Sequence, residues 1–244
     1  MNTAIDRAIM LFQGAFGGAA GKWPMAGPAA FRRHLELRRW RQIVGRLEQS
    51  LYWQAERRVA RSHYRHWFTE FFGLTTHDYE GVDVLDVGCG PLGSLEWADM
   101  AERRVGLDPL AFEFAELGTA SQAMEYARGS AEDIPFGDGS FDIVSCFDCL
   151  DQVSDLEAAA SDILRVTRSG GTILLIVHIN RAASFMRPHG LDRSLLALFA
   201  SRADLVLTST FAAHPGGDVC RSLRERLARV ESEPSILCAR LLRH

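Results

Sequence analysis

The sequence predicts an α/β protein: an open, seven-stranded, mostly parallel sheet with helices on both faces and a helical lid ahead of it. Two observations carry this. From Val82 onward, short apolar runs alternate with stretches of helical periodicity, and apolar strands joined by such crossovers form parallel sheets buried on both sides. Before that, residues 29–72 contain no Pro and a single Gly (Gly45). Their apolar residues recur mostly at three- or four-residue spacing, from Phe31 and Leu35 through Leu47, Leu51, Ala55 and Val59 to Tyr64, Trp67, Phe68 and Phe71. That is the spacing of an amphipathic helix. The chain divides into an N-terminal arm and helical lid, 1–78, and a core, 79–244.

Taken in order, the helical stretch can break at Gly45 or Ser50, and Gly73 ends it as a C-cap. Val82–Val87 is a near-continuous apolar strand, followed by a predicted helix over Ser94–Glu102. Arg104–Leu107 is the second strand, Ala111–Leu117 a helix, and Met124–Ala127 a weak third strand. Phe141–Cys146 is the fourth. Asp155–Thr167 carries apolar residues at Leu156, Ala159, Ile163, Leu164 and Val166, so it reads as a helix stopped by Gly170-Gly171, with Thr172–His178 as the fifth strand. Helices over Ser194–Ala200 and Val219–Val230, and strands over Asp204–Phe211 and Ser235–Leu242, complete the pattern. Crossovers between the parallel strands are right-handed.

Composition excludes several classes. With 47% apolar residues, 24% charged and a net charge of −4, nothing global points to nucleic acid or an anionic membrane. The ten arginines between 29 and 72 are spread around the helix, with no base-stacking module beside them. The apolar piece Ala8–Phe16 is too short to span a bilayer and is interrupted by Gln13. Five scattered cysteines, Cys89, Cys146, Cys149, Cys220 and Cys238, suggest a reducing, cytoplasmic setting. Cys146 and Cys149 form C-x-x-C, but no second Cys or His pair stands at zinc spacing, so no metal is expected.

The informative stretch is V-L-D-V-G-C-G-P-L-G from Val84. Gly88, Gly90 and Gly93 have G-x-G-x-x-G spacing after a strand, the context of a nucleotide loop. Asp108 ends the next strand, where a carboxylate can accept both ribose hydroxyls of an adenosine. NAD and an oxidoreductase fit these facts too. Asp86 discriminates: a carboxylate just before the turn repels a pyrophosphate at close range but favours S-adenosylmethionine, whose sulfonium, ammonium and carboxylate sum to +1.

Downstream stand G-L-D-P, A-E-D-I-P-F, G-S-F-D-I-V and R-V-T-R-S-G-G-T-I-L-L, in order. With V-L-D-V-G-C-G they make the chain resemble the class I S-adenosylmethionine-dependent methyltransferases, especially the small-molecule group with a type 11 core, over roughly 82–178. The resemblance implies a Rossmann-like sheet and assigns residues. Asp86, Gly88, Cys89 and Gly90 line the methionine part of the cofactor. Asp108 holds the ribose, with Pro109 and Leu110 against the adenine. Ser130, Ala131 and Glu132 approach the adenine edge, Ser130 standing where such proteins often carry Asp. Phe147 lies near the amino group through its backbone.

Acceptors in an open α/β sheet sit beyond the carboxyl ends of the strands, here after strands four and five. Asp148 and His178 are the candidate catalytic bases. Relatives often carry His four residues beyond Asp148, where this chain has Gln152. Asp151, Arg187 and His189 are candidate acceptor contacts, as are Tyr64 and Trp67 of the lid, with Tyr52, Trp53 and His63 also on that helix; plain core packing or solvated loop is the competing reading. The expected function is methyl transfer to a small molecule, to oxygen ahead of nitrogen or carbon. A non-catalytic cofactor-binding partner subunit and an RNA methyltransferase are the alternatives.

Overall fold

The computed structural model describes residues 64–115, 117–184, 187–215, 219–226 and 233–244. Most of the lid segment, including Tyr52, Trp53 and His63, lies outside them. Seven strands form one sheet: β1 (Asp83–Val87), β2 (Arg103–Asp108), β3 (Glu125–Arg128), β4 (Phe141–Phe147), β5 (Thr167–Ile179), β6 (Ala203–Ala212) and β7 (Ser235–Arg243), in the order β3-β2-β1-β4-β5-β7-β6. β1 to β5 are parallel, and only β7 runs against its neighbours. The winding reverses between β1 and β4, which opens a crevice at their carboxyl ends.

Alternation along the strands makes two cores. Leu85, Val87, Val105, Leu107, Val144, Cys146 and the odd-numbered apolar residues of β5 face α3 (Leu156–Val166) and the turn at Leu195 and Phe199. Val84, Ile143, Leu174, Ile176, Ile236 and Cys238 face α1 (Arg65–Thr69), Leu95, Trp97 and Leu223 of α4 (Val219–Glu225). The remaining described helix, α2 (Ala111–Ala115), follows β2. Burying apolar surface at about 25 cal/mol per Å² on both faces is what holds these short helices, which are too short to be stable alone.

Three elements differ from the sequence pattern. Ser94–Glu102 is not a helix but a chain of tight turns, with Glu96 N–H on the Gly93 carbonyl, Ala98 on Leu95 and Ala101 on Ala98. Leu95 and Trp97 are both buried, and residues two apart point to opposite sides of a helix. A helix would expose one of them. The stop after α3 is not Gly170-Gly171: the helix ends at Val166, where the Thr167 hydroxyl donates to the Ile163 carbonyl at 2.7 Å. The two glycines lie within β5, where Gly170 takes φ 76° and the register shifts against β4. The Arg193–Leu198 segment is a 3₁₀ helix.

The last stretch of the lid segment behaves as core. Trp67, Phe68, Phe71 and Phe72 are buried, Gly73 caps them in the left-handed region as expected, and Tyr79 closes the layer by donating its hydroxyl to the Phe68 carbonyl at 2.7 Å.

Candidate functional site

The carboxyl ends of β1, β2, β4 and β5 bring together most of the residues singled out from the sequence. At β1, Gly88 turns the chain with φ 76°, and a side chain there would stand 2.6 Å from the Cβ of Cys149, so only glycine fits. Gly90 (φ 61°) and Gly93 (φ 69°) continue the turn. The Gly88 N–H donates to the Leu107 carbonyl at 2.8 Å, which ties the loop to the end of β2.

Two carboxylates organise this loop. Asp86 is buried on the α1 side of β1. Its Oδ2 accepts the Ser94 hydroxyl at 2.5 Å and its Oδ1 accepts the Ser145 hydroxyl at 2.7 Å. Burial, with the charge of Asp108 as a lesser contribution, pushes Asp86 up to about 6 against those two hydrogen bonds. Asp108, also buried, accepts from the Leu110 N–H at 2.8 Å and from the Gly90 N–H at 3.3 Å. It too is pushed by burial up to about 6. A carboxylate offers about four lone-pair positions, so each Asp108 oxygen keeps one for a ligand hydroxyl.

Beside Asp108, Leu110 is buried and Pro109 exposed. Cys89 sits against Gly106 of β2, where an added side chain would meet its Sγ at 2.6 Å. Burial raises the Cys89 thiol.

The segment carrying Ser130, Ala131 and Glu132 is clamped from α3. The Ile134 N–H donates to Asp162 at 2.6 Å, and Arg165 donates to the Phe136 carbonyl at 2.7 Å and the Ile134 carbonyl at 2.9 Å. Ala131 is buried, and Ser130 bridges to Asp133. The Glu132 carboxylate accepts the Ser154 N–H at 2.6 Å, so its side chain holds the loop after β4.

That loop carries the catalytic candidates. Asp148 is in the left-handed region (φ 53°), its N–H held by the Ile176 carbonyl at 2.7 Å. Non-glycine residues adopt such φ at a cost, which Asp bears more readily than most. His178 Nε2 lies 3.6 Å from Asp148 Oδ1. The Asp148 side chain is 32% exposed and that of His178 1%, so Asp148 faces outward and His178 stands behind it. Gln152 is exposed and donates to the Asp148 carbonyl at 2.9 Å, steadying this turn.

The acceptor candidates divide. Asp151, Arg187 and His189 meet: Arg187 Nε lies 3.0 Å from Asp151 Oδ2, and His189 Nε2 lies 2.9 Å from the Val153 carbonyl. Burial raises Asp151 in spite of the Arg187 charge and the weaker effect of Arg181. Arg181 joins this group; its place three residues after the fifth predicted strand is the only sequence signal for it. Trp67, by contrast, is buried and Tyr64 half-buried, their rings edge-on at 5.4 Å. Both belong to the apolar layer on the α1 side. The Phe147 ring lies in the same layer, stacked on Phe72 and 4.7 Å from Phe68.

The Cys146–Cys149 pair is structural. Cys149 Sγ donates to the Val87 carbonyl at 3.4 Å, and its hydrogen bond with Cys146, together with burial, raises the thiol. Among the described residues no cluster of His, Cys, Asp and Glu could hold a metal ion.

A parallel sheet with a glycine turn after β1, an acid at the end of β2, a switch point between β1 and β4 and an antiparallel β7 inserted between β5 and β6 is the framework that the resemblance to class I S-adenosylmethionine-dependent methyltransferases implies. Residues 85–175 match the methyltransferase domain family, and the chain carries that domain, whose cofactor is S-adenosylmethionine. The chain is similar to ajmaline N-methyltransferase of Rauvolfia serpentina, 31% identical over 110 residues covering 42% of this chain and 38% of that protein. It is also similar to malonyl-(acyl-carrier protein) O-methyltransferase of Erwinia billingiae, 35% identical over 100 residues covering 39% and 38%. The match thus spans 38% of the length of each of these curated relatives. A solved S-adenosylmethionine-dependent methyltransferase from Methanosarcina mazei has the same fold, with TM-score 0.54 at 18% identity over 68% of this chain and 95% of that one.

Proposed function

We propose that this chain transfers a methyl group from S-adenosylmethionine to a small molecule, and to oxygen ahead of nitrogen or carbon. The observation that carries the reading is the pair Asp86 and Asp108, two buried carboxylates set around one glycine turn. Burial presses both toward the neutral form, helped by the Asp108 charge at Asp86 and by the Glu113 charge at Asp108. A ligand of net positive charge relieves that pressure, whereas a pyrophosphate adds to it.

When bound, the cofactor supplies a methyl group on a positively charged sulfur that leaves as a neutral thioether and needs no acid. Asp108 accepts the ribose hydroxyls on its open lone pairs, Leu110 and Ala131 give apolar contact to the adenine, and Gly88 and Gly90 let the ligand reach the backbone. Asp86 touches the ligand less than it fixes the loop: it is 3% exposed, each oxygen already holds a serine hydroxyl, from Ser94 or Ser145, and it acts through its field.

Asp148 is the catalytic residue in this reading. Its half-buried carboxylate takes the proton that an acceptor hydroxyl must lose, and His178, 3.6 Å behind it, favours the ionised form when protonated. A proton-accepting pair favours oxygen, since a neutral amine can attack before it loses a proton. Methyl transfer depends most on alignment of nucleophile and methyl group, worth on the order of 7–11 kcal/mol in good cases. The left-handed turn at Asp148 supports such alignment. The acceptor is a small molecule ahead of RNA, since a net charge of −4 supplies no general attraction for a phosphate backbone. None of the five cysteines forms a disulfide, which supports a cytoplasmic location; among the described residues no helix is long and apolar enough to cross a membrane.

The test has two stages. Calorimetry should show binding of S-adenosylmethionine and S-adenosylhomocysteine, with no heat on adding NADH. Methyl-labelled cofactor should then label a metabolite in a cell extract. Binding without label on any compound would leave a non-catalytic cofactor-binding subunit in place of an enzyme.

A further inference from the structure

The loop after β5 closes on itself: the Asn180 N–H donates to the Leu191 carbonyl at 2.7 Å, and Asn180 takes φ 58°. Inside it, the Ser184 N–H donates to the Arg187 carbonyl at 2.7 Å. Arg181 and Gly190 run side by side, the Arg181 carbonyl 3.3 Å from where a Gly190 side chain would begin. The loop is pinned to the one after β4 by the Arg187–Asp151 ion pair and the His189–Val153 hydrogen bond. Both loops stand beyond the carboxyl ends of their strands, and Asp151 is three residues from Asp148.

The charges at this junction do not balance. Arg187 and Arg181 both act on Asp151, two guanidinium groups against one carboxylate. Arg187 has Asp151 as its ion partner. Arg181 Nη1 is buried, and among the described residues it has no hydrogen-bond partner; the same holds for Asp151 Oδ1. A buried charged donor without an acceptor costs about 1–3 kcal/mol or more. The planar guanidinium is shaped to take a carboxylate through two parallel hydrogen bonds.

We propose that Arg181 is a specificity residue that binds a carboxylate on the methyl acceptor, so that the acceptor is a small organic acid. This rests on the methyl-transfer reading above and narrows its substrate class. The excess of one positive charge matches a monoanion. A phosphate ester, with about −1.5 to −2 charge at neutral pH, would leave the junction over-compensated. Arg187 orients Asp151 and shapes the floor of the site, while Arg181 makes the contact.

The experiment fractionates a small-molecule extract by anion exchange before reaction, then incubates each fraction with the full chain and methyl-labelled S-adenosylmethionine. Label should appear from the retained, anionic fraction and survive phosphatase treatment of that fraction. With the labelled acceptor purified, Arg181→Met should raise its KM at least about thirtyfold, with kcat changed less than KM and S-adenosylhomocysteine affinity kept within about twofold; two hydrogen bonds to a charged group are worth at least that much. Arg181→Lys should recover part of the loss. Label from the unretained fraction, or only from compounds that phosphatase destroys, overturns the proposal. So does an Arg181→Met enzyme with unchanged KM. Label from no fraction, with cofactor binding intact, overturns the methyl-transfer reading itself and the acceptor assignment with it.

Discussion

The two halves of the crevice are built on opposite terms. On the β1–β2 side the two carboxylates around the glycine turn each have protein partners on both oxygens: Asp86 two hydroxyls, Asp108 two backbone N–H groups. On the β4–β5 side the buried atoms Asp151 Oδ1 and Arg181 Nη1 have no partner among the described residues, and Asp148 stands half open in a left-handed conformation. A cofactor is the same in every turnover, so its half is finished before the ligand arrives. An acceptor is particular to one enzyme, and its half is completed only by what it binds. Unsatisfied buried polar groups are rare in native structures, and each calls for a reason; for Arg181 and Asp151 the reason proposed is a ligand.

The sharpest way to break the comparison is to damage one half and watch the other. Asp108→Ala removes the acceptor for the ribose hydroxyls and for the Gly90 and Leu110 N–H groups. The expected loss of affinity for both S-adenosylmethionine and S-adenosylhomocysteine is at least about a hundredfold, from two charge-assisted hydrogen bonds at about 1.5–3 kcal/mol each. Calorimetry measures it, and thermal unfolding checks that the loop still folds. An affinity within tenfold of the parent would mean that Asp108 is a loop anchor only.

On the other side, Asp148→Asn should lower kcat by about 10²–10⁴, the usual share of a general base, while S-adenosylhomocysteine affinity stays within twofold. His178→Gln, acting through Asp148, should cost about fivefold or less in kcat, since a partly exposed ion pair is worth about 0.2–1 kcal/mol. If either variant weakens cofactor binding as much as it slows turnover, the halves are not separable and Asp148 belongs to the cofactor site.

The same division explains what the sequence disclosed. Strands β1 to β5, their parallel order and the glycine turn were legible because backbone geometry forces their residue types: glycine where φ is positive, apolar residues along buried strands. The Ser94–Glu102 segment was not, because its apolar spacing imitates a helix until Leu95 and Trp97 must both be buried. That error removed one support of the loop's identification, the helix expected to follow it; Asp108 and the later motifs carried it instead.

Among the acceptor residues, Asp148 and His178 were found by their position at strand ends, and the structure does bring them to 3.6 Å. Arg181 was missed because no local pattern marks it: its significance comes from Asp151, thirty residues earlier on another loop. Tyr64 and Trp67 carried the opposite hazard, since aromatic residues at helical spacing look the same in a lid and in a core.

The mildest test reads the cofactor half through its protons. Asp86 and Asp108 are pushed from about 3.8 in the unfolded chain up to about 6 in the fold. A carboxyl raised in this way favours the folded state while protonated. Its contribution to stability is fully present below the unfolded value and is lost as pH rises through about 6. These two acids therefore make the unliganded protein more stable near pH 5 than near pH 7.5.

Cofactor binding works in the opposite direction. A ligand of net charge +1 favours the ionised carboxylates, so S-adenosylmethionine expels protons as it binds and its affinity falls as pH drops below 6. S-adenosylhomocysteine lacks the sulfonium charge and should lose less, so the ratio of the two affinities should fall by roughly tenfold or less between pH 7 and pH 5. Calorimetry in buffers of different ionisation heat counts the protons directly. Asp86→Asn should flatten the S-adenosylmethionine profile, and Asp151→Asn on the acceptor side should leave it unchanged. A profile indifferent to Asp86 but altered by Asp151 would reverse the roles assigned to the two halves, placing the charge that meets the sulfonium at the end of β4 instead of β1.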